Sequence, residues 1–87
     1  MKYTIETPRN FEKLLKKIPR NDLLRIRDRI RELAHDPRPY GVEKLDDNLY
    51  RVRQGDYRII YGIYDKKLVV LVITVEHRRE VYKNLPS

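Results

Sequence analysis

The sequence predicts an α+β fold: a helical hairpin packed on one face of a mainly antiparallel four-stranded sheet, in the order β-α-α-β-β-β. Three observations predict it. The first half carries two apolar stripes at helical spacing. The second half carries alternating segments separated by tight-turn residues. Its last long segment, "LVVLVITV" at 68–75, is a continuous apolar run of strand length.

Each element has a local reason. In "KYTIET", 2–7, Tyr3 and Ile5 alternate with polar neighbours, which suits a first strand ended by Pro8. Phe11, Leu14, Leu15 and Ile18 follow at i, i+3, i+4, i+7 and define one face of a helix that Pro19 stops. Asn21 and Asp22 are both suited to cap the next helix. Leu23, Ile26, Ile30 and Leu33 form its apolar stripe, and "DPRPYG", 36–41, ends it. Three strands complete the order: "NLYRVRQ", "DYRIIYGIY" and "LVVLVITVEH".

Side chains alternate across a strand, so Arg51 and Arg53 share one face while Tyr50 and Val52 share the other. A two-residue turn at Gly55–Asp56, with glycine at its first central position, sets Arg53 opposite Arg58, Val52 opposite Ile59 and Tyr50 opposite Tyr61. One face then reads Tyr50, Val52, Ile59, Tyr61 and Ile63, ready for the helices. The other gathers Arg51, Arg53 and Arg58, and a one-residue slip would drive that charge into the core. The last strand has two possible registers, because both of its faces are apolar. A two-residue turn after Tyr64 brings His77 to the arginine face. A three-residue turn presents Thr74, Glu76 and Arg78 there instead.

The chain has 87 residues, 20 Lys and Arg against 13 Asp and Glu, a formal charge of +7, and no cysteine. One domain, 1–87, is the natural count, and it buries on the order of 60% of its unfolded surface. Neither disulfides nor a thiolate zinc site is available. The N-terminus meets charge and proline before any apolar run, so no secretory signal is expected. The longest apolar run is too short for a membrane-spanning helix. The expected location is a reducing cytoplasm. The positive charge favours polyanions, RNA and DNA among them. Like charges directly opposite on a sheet are destabilising, so the arginine cluster is either a splayed, solvated face or a surface that a polyanion neutralises. Arginine suits phosphate because its planar fork donates two hydrogen bonds at once. His35, beside a helix end, is explained by the helix dipole, and Asp46 with Asp47 by solvation in a loop. No metal site is readable and no cofactor is expected.

"LYRVRQGDYRIIYGI", followed by a valine-rich strand and "HRREVY", resembles the RelE/ParE toxin superfamily, on its RelE side. The resemblance extends over nearly the whole chain and implies the RelE-like, microbial-RNase type of fold. It implies the toxin of a type II toxin–antitoxin system: a ribosome-dependent endoribonuclease that cuts mRNA in the A site by attack of the 2′-hydroxyl, without a metal. It implies catalytic roles for Arg58, Arg78 and Tyr82, with His77 as a candidate acid or base, and RNA-binding roles for Arg51, Arg53 and Arg79. The implied partners are a cognate antitoxin, the ribosome with its mRNA, and operator DNA through the antitoxin complex, with no membrane. Two other readings stay open. A ParE-like inhibitor of DNA gyrase shares the fold, and a non-catalytic RNA-binding or antitoxin-binding module would keep the charge without the chemistry.

Overall fold

The computed structural model describes residues 2–78. The chain runs β1 (Thr4–Glu6), α1 (Phe11–Leu15), α2 (Arg20–Leu33), β2 (Glu43–Asp46), β3 (Leu49–Gln54), β4 (Tyr57–Tyr64), a 3-10 turn (Asp65–Lys67) and β5 (Val69–His77). The strands form one sheet in the order β1-β5-β4-β3-β2. Only β1 is parallel to its neighbour, β5, and the other pairs are antiparallel.

The α+β class and the helical hairpin are as expected from sequence, but the sheet has five strands rather than four. The added strand, β2, reads Glu-Lys-Leu-Asp and is exposed at every residue, so no apolar alternation announces it. Its pairing to β3 defines it, and the charges along it suit an edge that must not recruit another chain. Two helix boundaries also differ. The stripe that begins at Phe11 is helical only to Leu15 and continues as a turn through Ile18. The second helix starts at Arg20 with Pro19 in the N-cap position, so neither Asn21 nor Asp22 caps it. Proline has the φ a helix start requires and lacks an N–H that would go unpaired there.

Both helices lie on one face of the sheet. Phe11, Leu15, Ile26, Ile30 and Leu33 pack against Tyr50, Val52, Tyr57, Ile59, Tyr61, Ile63, Val70 and Val72 in one buried cluster. The β3–β4 register is the one the alternation requires: Tyr50 opposite Tyr61, Val52 opposite Ile59, Arg53 opposite Arg58 and Gln54 opposite Tyr57. Gly55 makes the turn with φ +60°, a conformation that side-chain-bearing residues rarely adopt.

The last strand resolves its register by a device that turn length alone does not reveal. Residues 65–68 connect the strands and Tyr64 pairs with Val69, the same parity a two-residue turn would give. Ile73 then bulges out between the pairs Tyr61–Val72 and Ile60–Thr74. The extra residue exchanges the two faces of the rest of the strand. Arg58 now faces Glu76, and Tyr57 faces His77.

A polar clasp closes the end of the sheet remote from the arginines. The Arg38 guanidinium donates to both Asp65 carboxylate oxygens, at 3.1 and 2.8 Å, and the Tyr3 hydroxyl donates to Asp65 at 2.6 Å. Arg38 also lies over the Tyr50 ring, 5.2 Å from its centre, and Tyr61 donates to the Pro37 carbonyl at 2.7 Å. The clasp ties β1 and the β4–β5 turn to the segment that leaves α2. Hydrogen bonds from Arg38 and Tyr3 hold the Asp65 carboxyl down at about 2, below its ordinary 3.8. A carboxylate with a depressed folded value adds stability that is whole above the unfolded value and is lost as pH falls toward the folded one. We therefore expect Asp65→Asn to lower the urea midpoint near neutral pH. The gap from the wild type should close as pH falls from about 4 to about 2 in paired urea titrations.

Candidate nucleic-acid interface

The sheet face opposite the helices is open, and its basic end is built from three strands and one turn. Pairing sets Arg53 of β3, Arg58 of β4 and Glu76 of β5 side by side in one row across the sheet. Directly opposite residues bring their β-carbons to about 5 Å, so this row concentrates two guanidinium groups and one carboxylate in a small area. Arg51 stands two residues along from Arg53 on the same face.

The four arginines at this end, Arg51, Arg53, Arg58 and Arg78, are not equivalent. Arg51 is held: its guanidinium donates to Glu43 of β2 at 2.6 Å, and its Nε is buried without a hydrogen-bond acceptor. Arg53 is exposed and donates from Nε to the Gly55 carbonyl at 3.1 Å, which lays its side chain over the turn. Arg58 is half-buried, and among the described residues no carboxylate lies within 4 Å of its guanidinium. Arg78 reaches the same end of the face. Its backbone N–H donates to the Asp56 carbonyl at 2.8 Å, and its guanidinium stands 3.9 Å from the Asp56 carboxylate. Both of those side chains are more than half exposed, so the pair is a loose one that solvent screens.

His77 does not join this cluster. The bulge at Ile73 turns it to the helix side of the sheet, where it meets Tyr57 edge to face, with ring centres 5.0 Å apart and planes at 81°. A cleft of about 370 Å³ opens beside it, lined by Lys17, Tyr57, Val75 and His77 and bordered also by Thr74 and Glu76. Arg79 and Tyr82 lie outside the described residues. Of the expected site residues, the structure therefore brings together Arg51, Arg53, Arg58 and Arg78 and sets His77 apart from them.

One participant escaped the sequence reading and a second was one of two alternatives in it. Glu43 was hidden because the strand that carries it has no apolar pattern; the signal available was an acid eight residues before Arg51, which has meaning only once the strands pair. Glu76 belonged to one of the two registers left open, and only the bulge selects it.

Further along the open face the surface becomes apolar. A Cβ on Gly62 would sit 3.1 Å from the Tyr64 ring, so that ring lies directly over the glycine. Ile73, pushed out by the bulge, is exposed beside it. A strip of bare sheet thus continues from the basic end. Guanidinium groups at one end and an aromatic shelf further along form a surface suited to a phosphodiester chain with unpaired bases.

Among the described residues no helix is long and apolar enough to cross a membrane. Comparison with known proteins agrees with the architecture. The RelE1 protein of Methanocaldococcus jannaschii is 28% identical over 97% of this chain and 99% of its own. The toxin RelG of Mycobacterium tuberculosis is 26% identical over 95% of this chain and 99% of its own. Among solved structures, an archaeal RelE–RelB complex from Pyrococcus horikoshii contains a chain that superposes with a TM-score of 0.82 at 29% identity. That match covers 90% of this chain and 97% of the other. The sequence model described as the ParE toxin of type II toxin–antitoxin systems matches residues 3–82, nearly the full length. With the fold and a match of that extent in hand, the chain belongs to the ParE toxin family of type II toxin–antitoxin systems, within the RelE/ParE superfamily.

Proposed function

We propose that this toxin is of the RelE type: an endoribonuclease that enters the ribosomal A site and cuts mRNA through the RNA's own 2′-hydroxyl. The observation that carries the reading is the Arg53–Arg58 pair, set side by side on an open sheet face with Arg51 and Arg78 close by. The similarity to proteins named RelE supports it.

Phosphodiester cleavage by a neighbouring 2′-hydroxyl passes through a crowded phosphorane with extra negative charge on its equatorial oxygens. Fixed cations aimed at those oxygens lower that barrier, because the positive charge is already in place when the negative charge develops. Arg58 is the best placed for this role: it is central in the sheet, half-buried and flanked by Arg53. Arg78, on the rim, suits a contact to the flanking phosphate. Arg51, already holding Glu43, has less to give to RNA. Its main contribution is to fix the edge strand. His77, facing the helices, is not placed to donate a proton on the arginine face. Tyr82 and Arg79 keep the roles the family resemblance implies, a catalytic one for Tyr82, by stacking on a base or orienting the 2′-hydroxyl, and RNA binding for Arg79.

The partner in such a system is a cognate antitoxin, and acidic or apolar segments of it match the basic end and the bare strip of the open face. Operator DNA would be bound through the complex of the two proteins. Arrest without mRNA cleavage is the second reading, and the description of the matching family as ParE toxins favours it. A gyrase inhibitor would leave mRNA intact and damage DNA. The local basic set argues for RNA as the target.

Primer extension on a translated mRNA, with and without the protein, separates the two. We expect breaks at codons in the A site for the wild type. For Arg58→Ala we expect a loss of roughly 100-fold or more in rate, with an unchanged circular dichroism spectrum. Undiminished cleavage by a folded Arg58→Ala protein removes Arg58 from the mechanism. Intact mRNA together with DNA damage in the arrested cell favours gyrase. The basic row also has a stability signature. Replacing Arg53 with glutamate turns a like-charge pair into an attractive one, so we expect the unfolding free energy from urea titration to rise by about 0.2–1 kcal/mol. Ribosome-dependent cleavage by the same variant should fall.

A further inference from the structure

An arginine set leaves a gap in this chemistry. A guanidinium stays protonated throughout the accessible pH range, so it stabilises charge but does not accept a proton. The attacking 2′-hydroxyl must lose one. We infer that Glu76 is the residue that takes it. The inference rests on the nuclease reading and deepens it.

Placement is the basis. The bulge at Ile73 brings Glu76 onto the arginine face and into register with Arg58, whose other neighbour is Arg53. Without that extra residue His77 would follow the arginine-face parity and Glu76 would point to the helices. The described carboxylates near this end differ in their commitments. Glu43 accepts from Arg51 at 2.6 Å. Asp56 sits in the turn, its backbone carbonyl accepting from Arg78 and its carboxylate 3.9 Å from that guanidinium. Glu76 is half-buried, and among the described residues no cationic group lies within 4 Å of its carboxylate. A carboxylate with open lone pairs, one strand spacing from a guanidinium, suits a phosphate bound on the arginine with its ribose hydroxyl turned toward the acid.

The step balances without a metal or redox partner. The Glu76 carboxylate takes the proton from the 2′-hydroxyl as the 2′ oxygen forms its bond to phosphorus. The bond from phosphorus to the 5′ oxygen breaks, and that oxygen takes a proton from water. The products are a 2′,3′-cyclic phosphate and a 5′-hydroxyl end, and Glu76 returns its proton to solvent. The charged groups facing Glu76 are Arg58 on β4, Arg53 beyond it on β3, and Arg78 with Asp56 at the turn, and Lys17 and His77 line a cleft that Glu76 also borders.

The bland alternative is that Glu76 merely offsets the charge of Arg58. The two roles differ in how rate depends on pH. With a protein base the single-turnover rate on a programmed ribosome is flat above neutrality. With Glu76→Gln the proton must leave to hydroxide, so the rate falls by about 100-fold or more and rises roughly tenfold per pH unit. Glu76→Asp keeps a carboxylate and the flat profile at a lower rate. Binding of Glu76→Gln to ribosomes, measured by co-sedimentation, is expected to equal or exceed the wild type, since one negative charge has left a basic face. A Glu76→Gln protein that cuts at the wild-type rate, or slowly with a flat profile, overturns the assignment. The nuclease reading then still stands if Arg58→Ala is inactive. A wild-type protein that leaves ribosome-bound mRNA whole overturns both.

Discussion

β4 lies at the centre of the sheet, and each of its residues must face either the helices or the open side. Tyr57, Ile59, Tyr61 and Ile63 face the helices and are almost fully buried. Four such side chains contribute roughly 1.5–3 kcal/mol each relative to exposure. The repulsion between Arg53 and Arg58 on the reverse side costs at most about 1 kcal/mol. Burial therefore wins by a wide margin, and the arginines are held together by the core beneath them. No carboxylate is needed to assemble the basic row. For that reason the row can remain open to an anion.

The ionic groups divide the molecule into a closed end and an open end. Arg38 and Asp65 meet through two hydrogen bonds, with Tyr3 and Tyr50 completing the clasp, and they lock β1 and the β4–β5 turn together. Arg51 is closed in the same sense by Glu43, which fastens the edge strand. Arg53, Arg58 and Arg78 have no such close ion pair among the described residues; Arg78 stands 3.9 Å from an exposed acid. Such a patch attracts an anionic partner. It also gives the RNA reading its electrostatics.

One inserted residue decides which titratable group faces the arginines. With Ile73 bulged, the strand presents Thr74 and Glu76 to the open face and turns Val75 and His77 toward the helices. The exchange places a valine where apolar surface is useful, against the core. It also sets a carboxylate rather than an imidazole beside the arginines. The backbone change that does this is a single unpaired residue.

The sequence alone determined the hairpin. Strict alternation in "LYRVRQ" and "DYRIIYGIY", joined by a glycine turn, admits one register that keeps charge out of the core, and that register is observed. It determined the two helical stripes for the same reason: Phe11, Leu15, Ile26, Ile30 and Leu33 have no other apolar partner than the sheet. Tertiary structure decided the rest. β2 carries no apolar signal and exists because β3 offers it an edge. The Arg38–Asp65 clasp joins residues from separate loops that only the closed fold brings together. The face on which Glu76 and His77 lie could not be read because "LVVLVITV" is apolar on both sides. Alternation is silent in such a strand, and the bulge that sets its register is chosen by packing against β4 and the helices.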